Sequence, residues 1–112
     1  MKIAVESNDG KTIKSPFDVI KGYLVFEVNE KTLMRAKYLK MNKPTSFSQI
    51  PYLSECKTII TRGMDREKRE RFKEEGFDIF VTFNTSARDA LDSFIKEKRI
   101  NQPEFVQNIP AV

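Results

Sequence analysis

The segment KTIITRGMDREKRERFKEEGFDIFVTF, residues 57–83, places a highly charged stretch between two apolar ones. Lys57 to Thr61 is short, apolar and rich in β-branched residues, which predicts a buried strand. Asp65 to Glu75 predicts a helix that Gly76 ends in the left-handed conformation, and Phe77 to Phe83 predicts a second strand. Because strands joined through a helix run parallel, the segment predicts a β-α-β unit.

Three further strands are predicted before this unit. In Lys2 to Ser7, Ile3 and Val5 alternate with the other side chains, so we expect a strand with one strongly buried face. Tyr23 to Val28 and Thr32 to Leu39 predict the second and third strands, which a hairpin connects. The connections are too short for a helical crossover, so these three strands are expected to pair antiparallel.

Two more helices and a tail complete the pattern. Ser46 to Leu53 predicts a short or irregular helix that Pro51 limits, and a longer helix is predicted after Ser86. Residues 1–100 are expected to form a single domain, and residues 101–112 are expected to form a loosely docked tail. The apolar face of the longer helix is formed by Ala87, Ala90, Leu91, Phe94 and Ile95.

Together these elements predict an α/β fold, a five-stranded mixed sheet flanked by helices. A right-handed crossover places the fourth and fifth strands on the open side of the first, which gives the order 3-2-1-4-5 and a central first strand. This is the ribonuclease H-like arrangement, although other α/β orders fit the same elements. The predicted core contains Ile3, Val5, Val25, Ile59, Ile60, Ile79, Val81, Leu91 and Phe94.

The composition excludes several kinds of site. The 112 residues contain no histidine and a single cysteine, Cys56, so they offer no Cys/His zinc site, no histidine base and no Ser-His-Asp triad. The apolar runs are too short to span a membrane and the first residues do not resemble a signal peptide, so a cytoplasmic protein without membrane contact is expected.

The net charge of +4 permits nucleic acid as a partner only if the basic residues cluster. In residues 65–75, five basic side chains are matched by five acidic ones, and the remaining lysines and arginines are dispersed. Nucleic acid is therefore not expected as a partner. A two-metal nuclease is not expected either, because the strand from Lys57 to Thr61 lacks a carboxylate and Glu6 lies on the face opposite Ile3 and Val5.

Several segments in order resemble a known family. They are residues 1–10, Ser15 with Phe17, the aromatic strand from Tyr23, residues 60–64 and residues 75–78. In this order they resemble the dinitrogenase iron-molybdenum cofactor biosynthesis family, a NifX/NifB-type accessory domain, over about the first 98 residues. The resemblance implies a ribonuclease H-like fold, no catalysis, and the carrying of an iron-sulfur or iron-molybdenum cluster between donor and acceptor proteins.

The chain departs from the family at the expected ligand loop. Relatives usually carry a Ser-x-His-Phe-Gly-like segment, whereas residues 15–18 read Ser-Pro-Phe-Asp. Clusters are normally held by thiolates or imidazoles, and only Cys56 remains. We expect Cys56 to be a buried core or helix-end residue rather than a metal ligand. A cluster shared between two copies through one Cys56 from each is the alternative, so the chain is expected to be a monomer or a homodimer.

The candidate ligand site is the edge of the sheet where the first and fourth strands end, because open α/β sheets bind ligands there. Arg62 and the start of the following helix would favour an anion. In the alternative interpretation, Gly63 only makes a tight turn, Arg62 pairs with Asp9 or Asp65, and Phe17 plugs the core. The predicted site comprises Asn8, Asp9, Gly10, Ser15, Phe17, Arg62 and Gly63.

The sequence therefore predicts a non-enzymatic accessory or carrier domain. It binds a metal cluster or another anionic ligand at this edge, or has lost that ability. The alternative is an RNA- or protein-interaction module that uses its basic surface.

Overall fold

A computed structural model describes residues 1–30, 32–41 and 55–101, with the backbone alone for residues 99–101. The helix predicted from Ser46 to Leu53 and the tail predicted after residue 101 lie outside these ranges. The elements are β1 (Lys2–Glu6), β2 (Gly22–Asn29), β3 (Thr32–Lys40), β4 (Thr58–Thr61), α1 (Arg66–Glu74), β5 (Asp78–Val81) and α2 (Ala87–Asn101). In the described part of the chain, no helix is long and apolar enough to cross a membrane.

The predicted sheet is confirmed. Its strand order is β3-β2-β1-β4-β5, so β1 is the central strand. β1 pairs antiparallel with β2 and parallel with β4, where Ile3 lies opposite Thr58 and Val5 lies opposite Ile60. β5 pairs parallel with β4, as the β-α-β pattern requires. The ribonuclease H-like label remains a prediction.

Both faces of β1 are buried, so the expectation of a single buried face is wrong. Ile3 and Val5 pack with the α2 residue Leu91, whereas Ala4 packs on the other face with the α1 residue Phe72. Glu6 shares this second face and is also fully buried. The reason is that a central strand between two helical layers has no solvent-facing side.

β5, one of the two edge strands of the sheet, is shorter than predicted. Val81 is 46% exposed, so its placement in the core is wrong, and Ile79 is only partly buried. Phe83, which follows the strand, is 94% exposed. The other seven predicted core residues are buried: Ile3, Val5, Val25, Ile59, Ile60, Leu91 and Phe94.

The ends of the helices follow from local hydrogen bonds. The Asp65 carboxylate accepts the Lys68 N–H at 2.8 Å, which caps the start of α1. Gly76 follows α1 with φ +93°, the left-handed conformation that glycine adopts without steric strain. The Ser86 hydroxyl accepts the Asp89 N–H at 3.2 Å at the start of α2. Asp65 and Ser86 therefore cap the starts of the two helices, and Gly76 ends the first one, as predicted.

Candidate functional site

The loops that follow β1 and β4 emerge at the same edge of the sheet, because the two strands are parallel neighbours. We call this edge the carboxyl edge. It contains residues 7–21, which connect β1 to β2, and residues 62–65, which connect β4 to α1. Ligands of open α/β sheets bind at such an edge.

Asp9 stabilises the first of these loops. Its carboxylate accepts the backbone N–H groups of Lys11 at 2.8 Å and Thr12 at 2.7 Å, and it accepts the Thr12 hydroxyl at 2.6 Å. The hydroxyl and the two N–H groups hold the pKa of Asp9 well below its usual range. Asp9 is thus a turn-forming carboxylate, and it does not pair with Arg62.

Asn8 holds the loop to the rest of the edge. Its side-chain amide donates to the Val19 carbonyl at 3.0 Å and its oxygen accepts the Lys21 N–H at 2.7 Å. Gly10 has φ +77° and lies against Tyr38, where an added Cβ would come within 3.3 Å of the ring. Among the predicted site residues, Asn8 and Asp9 therefore use their polar atoms to stabilise the loop. Gly10 allows the backbone to pass close to Tyr38 of β3.

The segment predicted as the ligand loop contacts the end of β4. Pro16 packs so close to Gly63 that a Cβ on Gly63 would lie 3.3 Å from the proline ring. Ser15 accepts the Phe17 N–H at 3.3 Å. Phe17 is 95% exposed, so the alternative in which it plugs the core is wrong. The contact brings Ser15, Phe17 and Gly63 to one part of the edge.

Glu6 is the residue that sequence reasoning missed. Its fully buried carboxylate accepts the Thr61 hydroxyl at 2.5 Å and pairs with the Lys68 ammonium at 2.7 Å. We call Glu6, Thr61 and Lys68 the Glu6 cluster. Burial, and secondarily the Glu6 charge, raise the pKa of neighbouring Tyr23. The position of Glu6 at the end of a central strand is the signal that could have identified it.

Lys14 supplies a second ammonium at the carboxyl edge, and this residue is buried. The residue is 8% exposed, and its ammonium donates to the carbonyls of Ser15 at 2.7 Å and Asp18 at 3.0 Å. Within the described residues, no carboxylate lies within 4 Å of this ammonium. Its charge is therefore solvated by neutral backbone groups.

A cavity of about 120 Å³ opens between the two lysines. We call it the carboxyl-edge cavity. The carboxylate-bearing residues Asp18 and Asp65 also line it, and both are exposed. Its other walls are formed by Lys14, Pro16, Ile20, Gly63, Met64 and Lys68.

Arg62 lies beside this cavity and is half-buried. It forms no hydrogen bond or ion pair with any residue that the structure describes, so the predicted alternative pairing with Asp9 or Asp65 is not observed among them. The neighbouring Gly63 N–H donates to the Thr61 hydroxyl at 3.1 Å, which joins the loop to the Glu6 cluster. Among the residues that the structure describes, Arg62 is therefore a cation at the carboxyl edge whose N–H groups have no acceptor.

Cys56 lies at the opposite end of the sheet, just before β4 begins. It is 2% exposed, which confirms the prediction of a buried position. Burial raises the pKa of its thiol to about 11, whereas a metal ligand must be a thiolate. Since the 112 residues contain no other cysteine and no histidine, the carboxyl edge offers oxygen and nitrogen donors but neither thiolate nor imidazole.

A larger groove of about 640 Å³ lies at the amino end of β5. Phe77, Phe80 and Phe94 line it together with Lys73 and Lys98. Lys98 lies 4.0 Å from Asp78, and both side chains are largely exposed. The groove is thus a shallow mixed surface away from the converging loops, and the carboxyl edge is the better candidate site.

Comparison with known proteins gives both a family and a fold. The model of the family described as dinitrogenase iron-molybdenum cofactor matches residues 1–97. A search of curated protein sequences found no match. The crystal structure of a candidate dinitrogenase (MJ0327) from Methanocaldococcus jannaschii is similar, with 17% identity and a TM-score of 0.71 over 88% of this chain and 90% of that one.

Two further solved structures are similar. The NMR structure of the same candidate dinitrogenase has 18% identity and a TM-score of 0.72, and covers 88% of this chain and 89% of that one. The crystal structure of PH0822 has 15% identity and a TM-score of 0.70, and the match covers 87% of this chain and 91% of that one. At these identities the likeness shows the fold alone.

Proposed function

The chain belongs to the dinitrogenase iron-molybdenum cofactor family, and from this premise we propose that it is a non-enzymatic accessory domain that binds an anionic ligand at its carboxyl edge. A preformed metal cluster that carries net negative charge is one such ligand. The binding residues are those of the loops after β1 and β4: Asn8, Asp9, Gly10, Ser15, Phe17, Arg62 and Gly63.

The main support for this proposal is that no described residue accepts a hydrogen bond from Arg62 or pairs with it. A half-buried guanidinium that no described residue satisfies lies where open α/β sheets bind ligands. Guanidinium groups form strong, charge-assisted hydrogen bonds to anions. The neighbouring Asp65 marks the start of α1, whose positive dipole end adds to the attraction. An anion at this edge would accept hydrogen bonds from the guanidinium N–H groups of Arg62.

The donor set determines how a cluster would be held. The edge supplies no thiolate and no imidazole, and Cys56 is buried at the other end of the sheet. A cluster would therefore keep its own ligands, and the protein would bind it through hydrogen bonds and charge. Such binding is reversible, which suits a carrier that receives cargo from one protein and delivers it to another. We propose such donor and acceptor proteins as partners, because the family is described by the nitrogenase cofactor.

The absence of catalysis is also part of the proposal. General acid-base chemistry needs a titratable group within reach of a substrate. Glu6 is the buried carboxylate nearest to the edge, and its two oxygens are engaged by Thr61 and Lys68. Asp9 is engaged by its own turn. Glu6 and Asp9 are therefore not placed to exchange a proton with a ligand, and Asp65 is engaged in capping α1. The exposed Asp18 is the remaining carboxylate on the cavity wall, and its side chain has no partner among the described residues.

Anaerobic gel filtration tests the proposal with two kinds of cluster. A synthetic iron-sulfur cluster that carries its own thiolate ligands should co-elute with the protein at low salt and dissociate at high salt. Arg62→Gln should abolish co-elution, whereas Arg66→Gln, on the exposed face of α1, should preserve it. Cluster carriage is refuted if the synthetic cluster never co-elutes, whereas anion binding at the edge is tested separately with phosphate. The proposed mode of cluster binding fails if iron and sulfide alone assemble one cluster per monomer that survives desalting, because that result requires direct metal ligation.

A further inference from the structure

We propose that the carboxyl-edge cavity binds a small tetrahedral oxyanion, with the ammonium groups of Lys14 and Lys68 as its main donors. The inference rests on the proposed anion-binding function and specifies one ligand class for part of the same edge. It extends the site beyond the residues predicted from sequence, since neither lysine was among them.

The first reason for proposing an oxyanion is that ammonium N–H donors lie on the cavity wall. An ammonium has three N–H groups, and Lys14 uses two of them on the carbonyls of Ser15 and Asp18. Lys68 uses one on Glu6, and its remaining donors serve no acceptor among the described residues. Both residues line the same cavity. A ligand with several acceptor oxygens would satisfy donors that come from two different segments of the chain.

The second reason for proposing an oxyanion is that one of the two lysine charges at the cavity lacks a counter-charge among the described residues. Lys68 is already neutralised by Glu6, but Lys14 is 8% exposed and has only neutral partners among the described residues. A buried charge without a counter-charge is costly, so an anion near Lys14 would offset that cost. The site tolerates an anion because its two acidic groups are exposed and because Asp65 is engaged in capping α1.

The size of the cavity sets the class of ligand. Its volume of about 120 Å³ is well below the roughly 300–1,000 Å³ of pockets that hold drug-sized molecules. It corresponds to about four water molecules at roughly 30 Å³ each in the liquid. A tetrahedral oxyanion, with five heavy atoms, fits within this volume. A metal cluster would rest on the outer loops near Arg62 rather than enter the cavity.

An NMR titration of the whole chain tests the inference. Inorganic phosphate is added in a phosphate-free buffer, and sodium chloride at matched ionic strength is the control. We expect saturable shifts of the amide resonances of Lys14, Gly63 and Met64 with phosphate alone. Gly76 and Phe77, in the larger groove, should not move. O-Phosphoserine is a second probe: tighter binding than phosphate indicates the end of a larger phosphate ester, and weaker binding indicates a free ion.

Two variants give the matched comparison. Lys14→Gln should weaken phosphate binding by about tenfold or more, the range for a hydrogen bond to a charged group. Lys11→Gln, an exposed lysine three positions away, should change it by less than about twofold. The wild-type shift map decides the outcome even if Lys14→Gln does not fold.

The inference is wrong if phosphate causes no saturable shift, if the shifts concentrate at Gly76 and Phe77, or if the two variants behave alike. Phosphate binding without co-elution of the synthetic cluster would support this inference and refute cluster carriage. Co-elution without phosphate binding would refute this inference alone.

Discussion

The Lys68 ammonium lies 2.7 Å from a Glu6 carboxylate that has no solvent exposure, and this ion pair connects α1 to the central strand of the sheet. Glu6 is the last residue of β1 and Lys68 lies in the first turn of α1. The pair therefore fixes the start of α1 relative to the carboxyl edge, where both Arg62 and the cavity lie.

Removing one partner of this pair should destabilise the fold. Lys68→Met leaves the Glu6 carboxylate buried and without its cation. Breaking a buried pair lowers the free energy of unfolding by about 3–5 kcal/mol. We expect a loss at the lower end of this range, because Lys68 is 24% exposed. Urea denaturation gives the value. Arg66→Met, which breaks the exposed pair with Glu70, should cost about 0.5 kcal/mol or less. Equal costs for the two variants would contradict this role of the pair.

The Cys56 thiol should be almost unreactive in the native state. Its pKa of about 11 keeps it protonated near neutral pH, and it is 2% exposed. Alkylation by iodoacetamide at pH 8 should be slow in buffer and rapid in urea, because the thiolate is the reacting species. Rapid stoichiometric labelling of the native protein would show that the thiol is accessible, which would reopen its role as a ligand.

Asp9 should contribute to stability above the pH at which its carboxyl titrates in the unfolded chain. Its folded pKa is lowered, so the contribution is complete above the unfolded value near 3.8 and is lost as the pH falls below it. Capping side chains contribute about 0.5–2 kcal/mol to the free energy of unfolding. At pH 7, Asp9→Ala should lower that free energy by an amount at the low end of this range, because Asp9 is exposed.

Thermal unfolding between pH 7 and pH 2 measures the effect of Asp9. The difference between wild type and Asp9→Ala should shrink as the pH falls. Asp18→Ala is the matched control, since the Asp18 side chain is exposed and makes no hydrogen bond or ion pair among the described residues. A difference for Asp9→Ala that does not depend on pH would refute the electrostatic explanation.

Phe17 should be dispensable for folding. It is 95% exposed, so Phe17→Ser should change the free energy of unfolding by less than about 0.5 kcal/mol. Phe94→Ala, which removes a ring that is 6% exposed, should cost about 3–5 kcal/mol. Urea denaturation compares them directly. A large loss for Phe17→Ser would restore the interpretation of this residue as part of the core.

The strand order could be predicted because it depends on periodicity and connection length. Alternation in Lys2 to Ser7 and the β-α-β pattern of residues 57–83 are local signals, and the handedness rule favours the observed order among the several α/β orders that fit them. The apolar strand favours a core position for Val81, although the predicted order already puts that strand at the edge of the sheet, where the side chain is 46% exposed. The burial of Glu6 could not be predicted, because it follows from the helix that covers its face.

The structure brings together the two loops that the sequence predicted to meet, while the ligand site itself stays a prediction. The carboxyl-edge rule and the glycine after Arg62 identify two loops that do converge. Lys14 and Lys68 could not be identified as cavity residues, because they lie 54 positions apart in the sequence and line one cavity only in the fold, where Pro16 packs against Gly63. Dispersed lysines give no sequence signal that separates a buried ammonium from a solvated one.

The central claim, that an anionic cluster binds at the carboxyl edge without metal ligation, is tested most directly by an anaerobic NMR titration with a paramagnetic synthetic iron-sulfur cluster. Broadening should affect Arg62, Gly63 and Phe17 first, because the unpaired electrons broaden nearby resonances. Arg62→Ala should weaken binding by about 1.5–3 kcal/mol, the range for a hydrogen bond to a charged partner, and Lys96→Ala should have almost no effect. Broadening confined to Arg35, Lys37 and Lys40, with Arg62 and Gly63 unchanged, would contradict the claim and favour the basic surface of β3.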